Sequence, residues 1–180
     1  MANLFEIDLP PLAWHPNNAA NAPSLQFANQ TLAYRQFWAF DSSISEFITS
    51  QQLILPENMD SSSSMKLKIL SGNMAGAATS TNKTVRWSVY CETITTGIGG
   101  DLVVGTATLL DPTANTGSLT LDESSNYYMY ETVVTLTNDD SAAAGKPFRV
   151  LLQRDNLTSS SANYANDVNF YGAMLYQESS

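Results

Sequence analysis

Histidine and cysteine, the residue types that most often supply a general base or a nucleophile, each occur once in this chain of 180 residues. His15 lies between Trp14 and Pro16 in a segment without hydrophobic periodicity, whereas a catalytic imidazole needs an oriented and partly enclosed site. Cys91 follows the alternation of a strand-like run as an inward residue, which favours a small core side chain over a nucleophile. The sequence therefore predicts no catalytic residue and no cofactor. His15 and Cys91 together could form a transition-metal site only with many additional carboxylate ligands.

Carboxylates are the remaining candidates for acid–base chemistry, because a glycosidase needs two of them held at a set separation. The candidates are Asp41, Glu46, Glu92, Asp101, Asp111, Asp122, Glu123, Glu131, Asp139, Asp140, Asp155 and Asp167. Most lie in turn-like segments, where Asp accepts hydrogen bonds from the backbone and keeps the loop hydrated. Asp139-Asp140 and Asp122-Glu123 could offer oxygen ligands to Ca²⁺, but no spaced Asp-x-Asp-x-Asp-Gly loop occurs. The prediction is a protein that is not an enzyme and holds no metal.

Aromatic side chains could form a platform for a sugar, since a ring face suits the apolar face of a pyranose. The candidates are Tyr34, Phe37, Trp38, Phe40, Trp87, Tyr90, Tyr127, Tyr128, Tyr130, Tyr164, Phe170, Tyr171 and Tyr176. Four stand at inward-compatible positions, where core packing is the expected role: Trp38, Phe40, Trp87 and Phe170. Three are less tied to a core position and could face a partner: Tyr127, Tyr128 and Tyr130.

The charge balance limits the classes of partner. With 17 acidic and 8 basic residues the net charge is −9, which argues against nucleic acid and against anionic membrane surfaces. No stretch approaches the roughly 18 apolar residues that a membrane span requires. Only 14% of residues are charged while Ser, Thr and Asn are abundant. Such a neutral-polar surface is more typical of exported or virion β-proteins than of a cytoplasmic enzyme.

Residues 1–30 differ from the rest of the chain. Prolines 10, 11, 16 and 23 exclude a long helix or a central strand in this segment, which nevertheless carries many large apolar side chains. The sequence predicts an extended N-terminal arm that binds a partner by strand addition. Its expected anchors are Leu4, Phe5, Ile7, Leu12 and Trp14. Deletion of residues 1–25 is expected to leave a folded sandwich.

Residues 31–180 contain eight strand-like runs separated by turn residues. They are Leu32–Phe40, Glu46–Leu55, Met65–Ser71, Val85–Glu92, Leu102–Leu110, Tyr127–Thr137, Pro147–Arg154 and Val168–Gln177. This pattern predicts an all-β, eight-stranded antiparallel jelly-roll β-sandwich made of two four-stranded sheets. Alternation within the runs predicts the residues buried between the sheets: Trp38, Phe40, Trp87, Val89, Cys91, Val150, Leu152, Phe170 and Met174.

The strand-like runs resemble the jelly-roll domains of tailed-bacteriophage virions, which serve as capsid decoration proteins and as heads of fibres. The resemblance covers roughly residues 32–177 and leaves residues 1–30 outside it. The segments that carry it are Arg35–Asp41, Leu55-Pro56, Met65–Ile69, Val85–Val89, Phe148–Asp155 and Asp167–Tyr176. It implies a non-enzymatic virion protein and brings no catalytic residues with it.

Three roles are consistent with this resemblance and with the composition. The first is a capsid cement or decoration protein clamped to the lattice by its arm, favoured because no heptad run suggests a fibre shaft. The second is a tail-fibre or appendage receptor-binding head, and the third is a carbohydrate-binding module. The expected partners are the chain itself as a homotrimer, the major capsid protein or another virion protein, and a surface glycan. The expected location is the capsid exterior of a virion made in the host cytoplasm.

Overall fold

The computed structural model describes residues 3–16, 22–30, 33–72, 83–94, 114–121, 129–155, 164 and 166–179. Within these ranges the chain forms antiparallel strands and one short 3₁₀ helix. The elements are β1 (Asn3–Leu9), η1 (Pro11–Ala13), β2 (Trp14–Pro16), β3 (Ser24–Gln30), β4 (Ala33–Phe40), β5 (Glu46–Ser50), β6 (Leu53–Ile54), β7 (Met65–Gly72), β8 (Lys83–Thr93), β9 (Asn115–Leu121), β10 (Met129–Leu136), β11 (Pro147–Arg154) and β12 (Val168–Glu178). No helix in these ranges has the length and apolar character to cross a membrane.

The strands form two sheets. Sheet A has the order β10-β7-β12-β4-β3, and β1 pairs with β12 as well. Sheet B has the order β2-β5-β11-β8-β9, and β6 pairs with β11. Neighbours that are far apart in the sequence, such as β7 and β12, are typical of a jelly roll. The predicted all-β jelly-roll sandwich is confirmed, although the described residues form six strands in each sheet where four were expected.

The core lies between the sheets and is built from the inward side of each alternating strand. On β8 the inward residues Val85, Trp87, Val89 and Cys91 are all fully buried, as the sequence pattern predicts. The Phe40 ring of sheet A meets the Trp87 ring of sheet B edge to face, with centroids 5.1 Å apart. Such aromatic pairs add stability beyond the area that they bury.

Met174 is the one wrong prediction among the nine expected core residues. A β-bulge between Phe170 and Gly172 shifts the register of β12 against β7. Residues after the bulge therefore change phase, so that Leu175 faces the core and Met174 faces outward. Simple period-2 alternation, which placed Phe170 and Met174 on one face, cannot anticipate an inserted residue.

The N-terminal segment is part of the sandwich, which differs from the arm expected over residues 1–30. Strand β1 pairs with β12 in sheet A, β2 pairs with β5 in sheet B, and β3 pairs with β4. Pro10 and Pro11 lie at the crossing between the sheets, where η1 needs no strand hydrogen bonds from them. The Trp38 indole N–H donates to the Pro11 carbonyl at 2.8 Å and so holds the crossing in place. The prolines mark a change of sheet, which explains the missing periodicity.

Several of the predicted strand-like runs coincide with observed strands. Pro147–Arg154 matches β11, while Glu46–Leu55 is divided into β5 and β6. Strand β9 was not expected from the sequence, because its Ser, Thr, Asn and Gly content resembles that of a loop. The run Leu102–Leu110 lies outside the described residues.

Candidate functional site

A groove on the outer side of sheet A lies where β12 changes its pairing partner. Along one edge, β12 pairs with β4 through residues 168–170 and with β1 through residues 173–178. The bulge at Tyr171 and Gly172 falls between these two stretches. Gly172 has φ of +136°, and a Cβ atom there would lie 3.0 Å from the Leu9 carbonyl oxygen. Only glycine allows the end of β1 to approach this closely, so the break in pairing and the groove have one cause.

The strands β1, β12, β7 and β10 present outward rows of side chains beside this break. One row consists of Asp8, Met174, Lys68 and Val133. The neighbouring row on one side consists of Glu6, Tyr176, Lys66 and Thr135. On the other side lie Gly172, Leu70 and Glu131. Because paired residues of antiparallel strands point to the same face, each row forms a continuous strip across the sheet.

The groove has a cavity volume of about 460 Å³, which is within the range of small-ligand sites. Its apolar lining consists of Leu9, Pro10, Leu70, Tyr171, Gly172, Ala173 and Met174. Its polar lining consists of Asp8, Lys68 and Glu131. A largely apolar surface with a few polar groups is the usual composition of a site for a small organic ligand.

Lys68 is the central polar group of the groove. Its Nζ atom lies 3.7 Å from a carboxylate oxygen of Glu131 and 6.0 Å from the centre of the Tyr176 ring. Lys66, in the next row, forms a second ion pair with Glu178 at 2.6 Å. The hydrogen bond to Glu178 raises the pKa of Lys66 above its usual value. The groove therefore combines an ammonium donor with carboxylate acceptors on one face.

Tyr171 forms an aromatic wall of the groove together with Phe37 of β4. The two ring centroids are 5.8 Å apart with an interplanar angle of 55°. Phe37 is only 3% exposed although it lies on the outer face of sheet A. Tyr171 is half-buried and lines the cavity. The contact with Phe37 restricts the rotation of the Tyr171 ring, as a binding platform requires.

The five expected arm anchors have different environments. Trp14 is 1% exposed and Phe5 is also buried, and both belong to the core between the sheets. Leu4 and Ile7 are half-buried against the same core. Leu12 is 59% exposed. Four of the anchors thus have a packing role within the chain, and the assignment of all five to partner binding stays a prediction.

The candidate catalytic residues lie in separate places. His15 is exposed on β2, opposite Thr49 of β5, and Cys91 is fully buried. Glu92 forms an ion pair with Arg149 on the outer face of sheet B, and Asp155 forms one with Arg86. Asp101, Asp111, Asp122 and Glu123 lie outside the described residues.

Among the residues that the structure describes, no group of three or more His, Cys, Asp or Glu side chains could hold a metal ion. Asp140, one of the carboxylates considered for Ca²⁺, accepts a hydrogen bond of 2.7 Å from the backbone N–H of Thr93. Its Oδ2 atom therefore has a structural role at the end of β8.

The groove brings together residues that were separate candidates in the sequence and others that were not candidates. Tyr171 was among the aromatic candidates and Glu131 among the carboxylates, whereas Asp8 and Lys68 were not selected. Their only sequence signal is their outward phase in strands whose other phase is apolar. Of the tyrosines expected to face a partner, Tyr130 is half-buried against the core. Tyr127 and Tyr128 lie outside the described residues.

No protein-family model matches this chain, and no curated protein matches it either. Among solved structures, the chain is similar to the CBM22-2 xylan-binding domain of Xyn10C from Paenibacillus barcinonensis. That alignment has a TM-score of 0.53 at 11% sequence identity and covers 97% of this chain and 99% of the xylan-binding domain.

The arabinose-bound α-L-arabinofuranosidase MgGH51 is also similar in part. Its alignment has a TM-score of 0.50 at 10% identity and covers 95% of this chain but only 24% of the enzyme. At such low identities both similarities concern the fold. They show that this chain shares its β-sandwich fold with these two structures.

Proposed function

We propose that the protein is a non-catalytic glycan-binding module and that the groove on sheet A holds the sugar. The observation that carries this proposal is the arrangement of Tyr171 and Met174 beside Lys68 and Glu131 in one cavity. An aromatic or thioether surface suits the C–H face of a pyranose ring, while ammonium and carboxylate groups suit its hydroxyl groups. Both kinds of group are needed because a sugar ring is apolar on its faces and polar around its edge.

The polar groups can satisfy hydroxyl groups of either hydrogen-bonding sense. The Lys68 ammonium donates, and the carboxylates of Glu131 and Asp8 accept. The Lys68–Glu131 separation of 3.7 Å is longer than a direct hydrogen bond. A sugar hydroxyl can therefore bridge the two groups, donating to Glu131 and accepting from Lys68.

The groove is formed by strands, and this favours binding. Each polar lining residue belongs to β1, β7 or β10, whose backbones are fixed by pairing in sheet A. Groups that are ordered before a ligand arrives lose less conformational entropy on binding. The similarity of the fold to the xylan-binding domain is consistent with this use of the sandwich.

Isothermal titration calorimetry with neutral oligosaccharides, chosen from an array of plant, algal and bacterial glycans, tests the proposal. The variant Tyr171→Ala should weaken binding by about tenfold, which corresponds to about 1.4 kcal/mol. Tyr90→Ala is the matched control, because Tyr90 is also half-buried but lies on the outer face of sheet B. No binding to any glycan, or equal losses in the two variants, would contradict the assignment.

The absence of catalysis is part of the proposal and has its own test. Prolonged incubation with each bound oligosaccharide should release no new reducing ends. If cleavage occurs and Glu131→Gln abolishes it, the groove is an active site and the non-catalytic assignment is wrong.

The virion setting expected from the sequence is compatible with glycan binding, because a receptor-binding head also recognises surface sugars. It stays a separate proposal, as do the homotrimer and the capsid partner. Quantitative mass spectrometry of purified particles would test it: hundreds of copies indicate a decoration protein, whereas tens or fewer indicate a fibre head. Light scattering of the purified chain tests the trimer.

A further inference from the structure

We infer that the groove selects uncharged glycans and discriminates against acidic ones such as uronic acid polymers. This inference rests on the proposed function and adds the chemical class of its ligand. The supporting observations are the balance of charges on the outer face of sheet A and the pairing of its lysines with carboxylates.

The described side chains on the outer face of sheet A, at the groove and beside it, have an excess of negative charge. Four carboxylates, those of Glu6, Asp8, Glu131 and Glu178, lie on this face with two ammonium groups, those of Lys66 and Lys68. Four negative and two positive charges leave a balance of two negative charges. The net charge of −9 for the whole chain has the same sign, so the long-range field also repels an anion.

Both lysines have carboxylate partners. Lys66 pairs with Glu178 at 2.6 Å and Lys68 with Glu131 at 3.7 Å. An acidic sugar that approaches either ammonium group also meets the carboxylate already beside it, which repels the acid. The hydroxyl group of a neutral sugar can join either pair without separating it, because it both donates and accepts.

The remaining two carboxylates belong to β1. Glu6 and Asp8 are exposed and project from alternate outward positions, in the same rows as Tyr176 and Met174. Neither has an ion-pair partner among the described residues. They therefore form a negative border along the β1 side of the groove, which an acidic ligand must approach.

Matched pairs of hexasaccharides that differ only at C6 provide the test. Each neutral hexamer of β-linked glucose, mannose or galactose is compared with its uronic acid counterpart by calorimetry at 10 mM salt. The acid should bind about fivefold more weakly or worse, the factor expected from one unit charge repelled at about 4 Å in water. The difference should narrow in 150 mM salt, where the screening length falls from about 30 Å to about 8 Å.

A double variant, Glu6→Gln with Asp8→Asn, removes the border charge and preserves the shape. The ratio of neutral to acidic affinity should fall at least twofold in this variant. Glu57→Gln is the control, since it makes a single neutralisation in the exposed loop between β6 and β7. In that variant the ratio should stay within twofold of the starting protein.

The outcomes separate this inference from the proposed function. If neutral and acidic members bind equally, or the acid binds better, the selectivity is refuted while glycan binding stands. A ratio that the double variant leaves unchanged also refutes it. If no member of any pair and no other glycan of the array binds, the proposed function fails and the inference fails with it.

Discussion

Arg154 of sheet B donates a hydrogen bond of 2.8 Å across the core to the carbonyl oxygen of Phe40 in sheet A. The same guanidinium donates to the carbonyls of Asn166 at 3.0 Å and Tyr164 at 2.7 Å. Arg154 is 1% exposed, and this burial lowers its pKa to about 10. It therefore remains charged at neutral pH and joins the two sheets with the segment that precedes β12.

Replacement of Arg154 by Met should destabilise the protein by about 3 kcal/mol or more, because three carbonyls lose their donor, two of them in buried hydrogen bonds. Urea unfolding followed by tryptophan fluorescence measures this change. Arg86→Met is the control, since Arg86 is nearly half exposed in its pair with Asp155 and surface ion pairs contribute about 0–1 kcal/mol. Equal losses of stability in both variants would mean that the buried hydrogen bonds of Arg154 contribute no more than the exposed ion pair of Arg86.

The stability of the protein should depend on the protonation of Glu46. Burial, with the nearby carboxylates of Asp41 and Asp167, raises the pKa of Glu46 above its ordinary value of 4.5. The folded state therefore binds this proton more tightly than the unfolded state, and stability is lost as the pH rises from 4.5 through the folded-state pKa. Glu46→Gln should thus raise the urea midpoint at pH 7, and this gain should shrink below pH 4.5.

Asp41→Asn provides a control of opposite sign for the Glu46 prediction. Hydrogen bonds from Ser43 lower the pKa of Asp41 below its ordinary value of 3.8. Its contribution is therefore present at neutral pH and is lost as the pH falls through the folded-state pKa. This variant should be less stable than the starting protein at pH 7. A Glu46→Gln variant that is also less stable at pH 7 would show that the attraction to Arg154 outweighs the cost of burial.

Gly172→Ala should destabilise the protein by about 1–3 kcal/mol, the usual cost of a strained backbone conformation. The positive φ and the close Leu9 carbonyl both oppose a side chain at this position. Gly145→Asn is the control: Gly145 has φ of +70°, which Asn tolerates, and its nearest neighbour is the flexible side chain of Glu57. Thermal unfolding should show a larger loss at Gly172. A Gly172→Ala variant that unfolds at the same temperature as the starting protein would show that β1 can move away.

Trp14 and Leu12 should respond very differently to truncation although both were expected arm anchors. Trp14→Ala removes a buried ring that contacts Phe170 edge to face at 5.2 Å, and should cost about 3–5 kcal/mol. Leu12→Ala should change stability by less than about 0.5 kcal/mol because its side chain is exposed. Chemical denaturation of both variants gives the comparison.

Deletion of residues 1–25 provides a further test of the N-terminal segment. The deletion removes Leu9 and Trp14 from the core, so it should unfold the sandwich, contrary to the expectation from the sequence. An unchanged far-ultraviolet circular dichroism spectrum after this deletion would instead support the original expectation of an arm that the sandwich does not need for folding.

Much of the core could be predicted because apolar and polar residues alternate within single strands, and this pattern is visible without knowledge of the strand's neighbours. The alternation of Val85, Trp87, Val89 and Cys91 identifies the buried face of β8 without any tertiary information. The phase of Met174 could not be found in this way, since a bulge depends on how close another strand approaches. In this case that strand is β1, whose Leu9 carbonyl adjoins Gly172.

The groove could not be predicted because its residues belong to strands that are distant in the sequence. Asp8, Lys68, Glu131 and Tyr171 become neighbours only through the order of strands in sheet A. Each is unremarkable alone: an outward charge or tyrosine in a strand is the ordinary way to keep one face hydrated. Strand β1, which forms one side of the groove, was not predicted because the prolines of the crossing that follows it interrupt the strand pattern.

The pairing of Asn3 with Glu178 has a consequence for biosynthesis. The first strand of sheet A has its partner in the last strand, so a nascent chain cannot complete this sheet until the ribosome has released β12. Until then the apolar side chains of β1 and β2 are without their cover, and contacts this distant in sequence form slowly. The sandwich should consequently fold only after β12 has emerged from the ribosome, and chaperones that bind exposed apolar strands have their main opportunity in that interval.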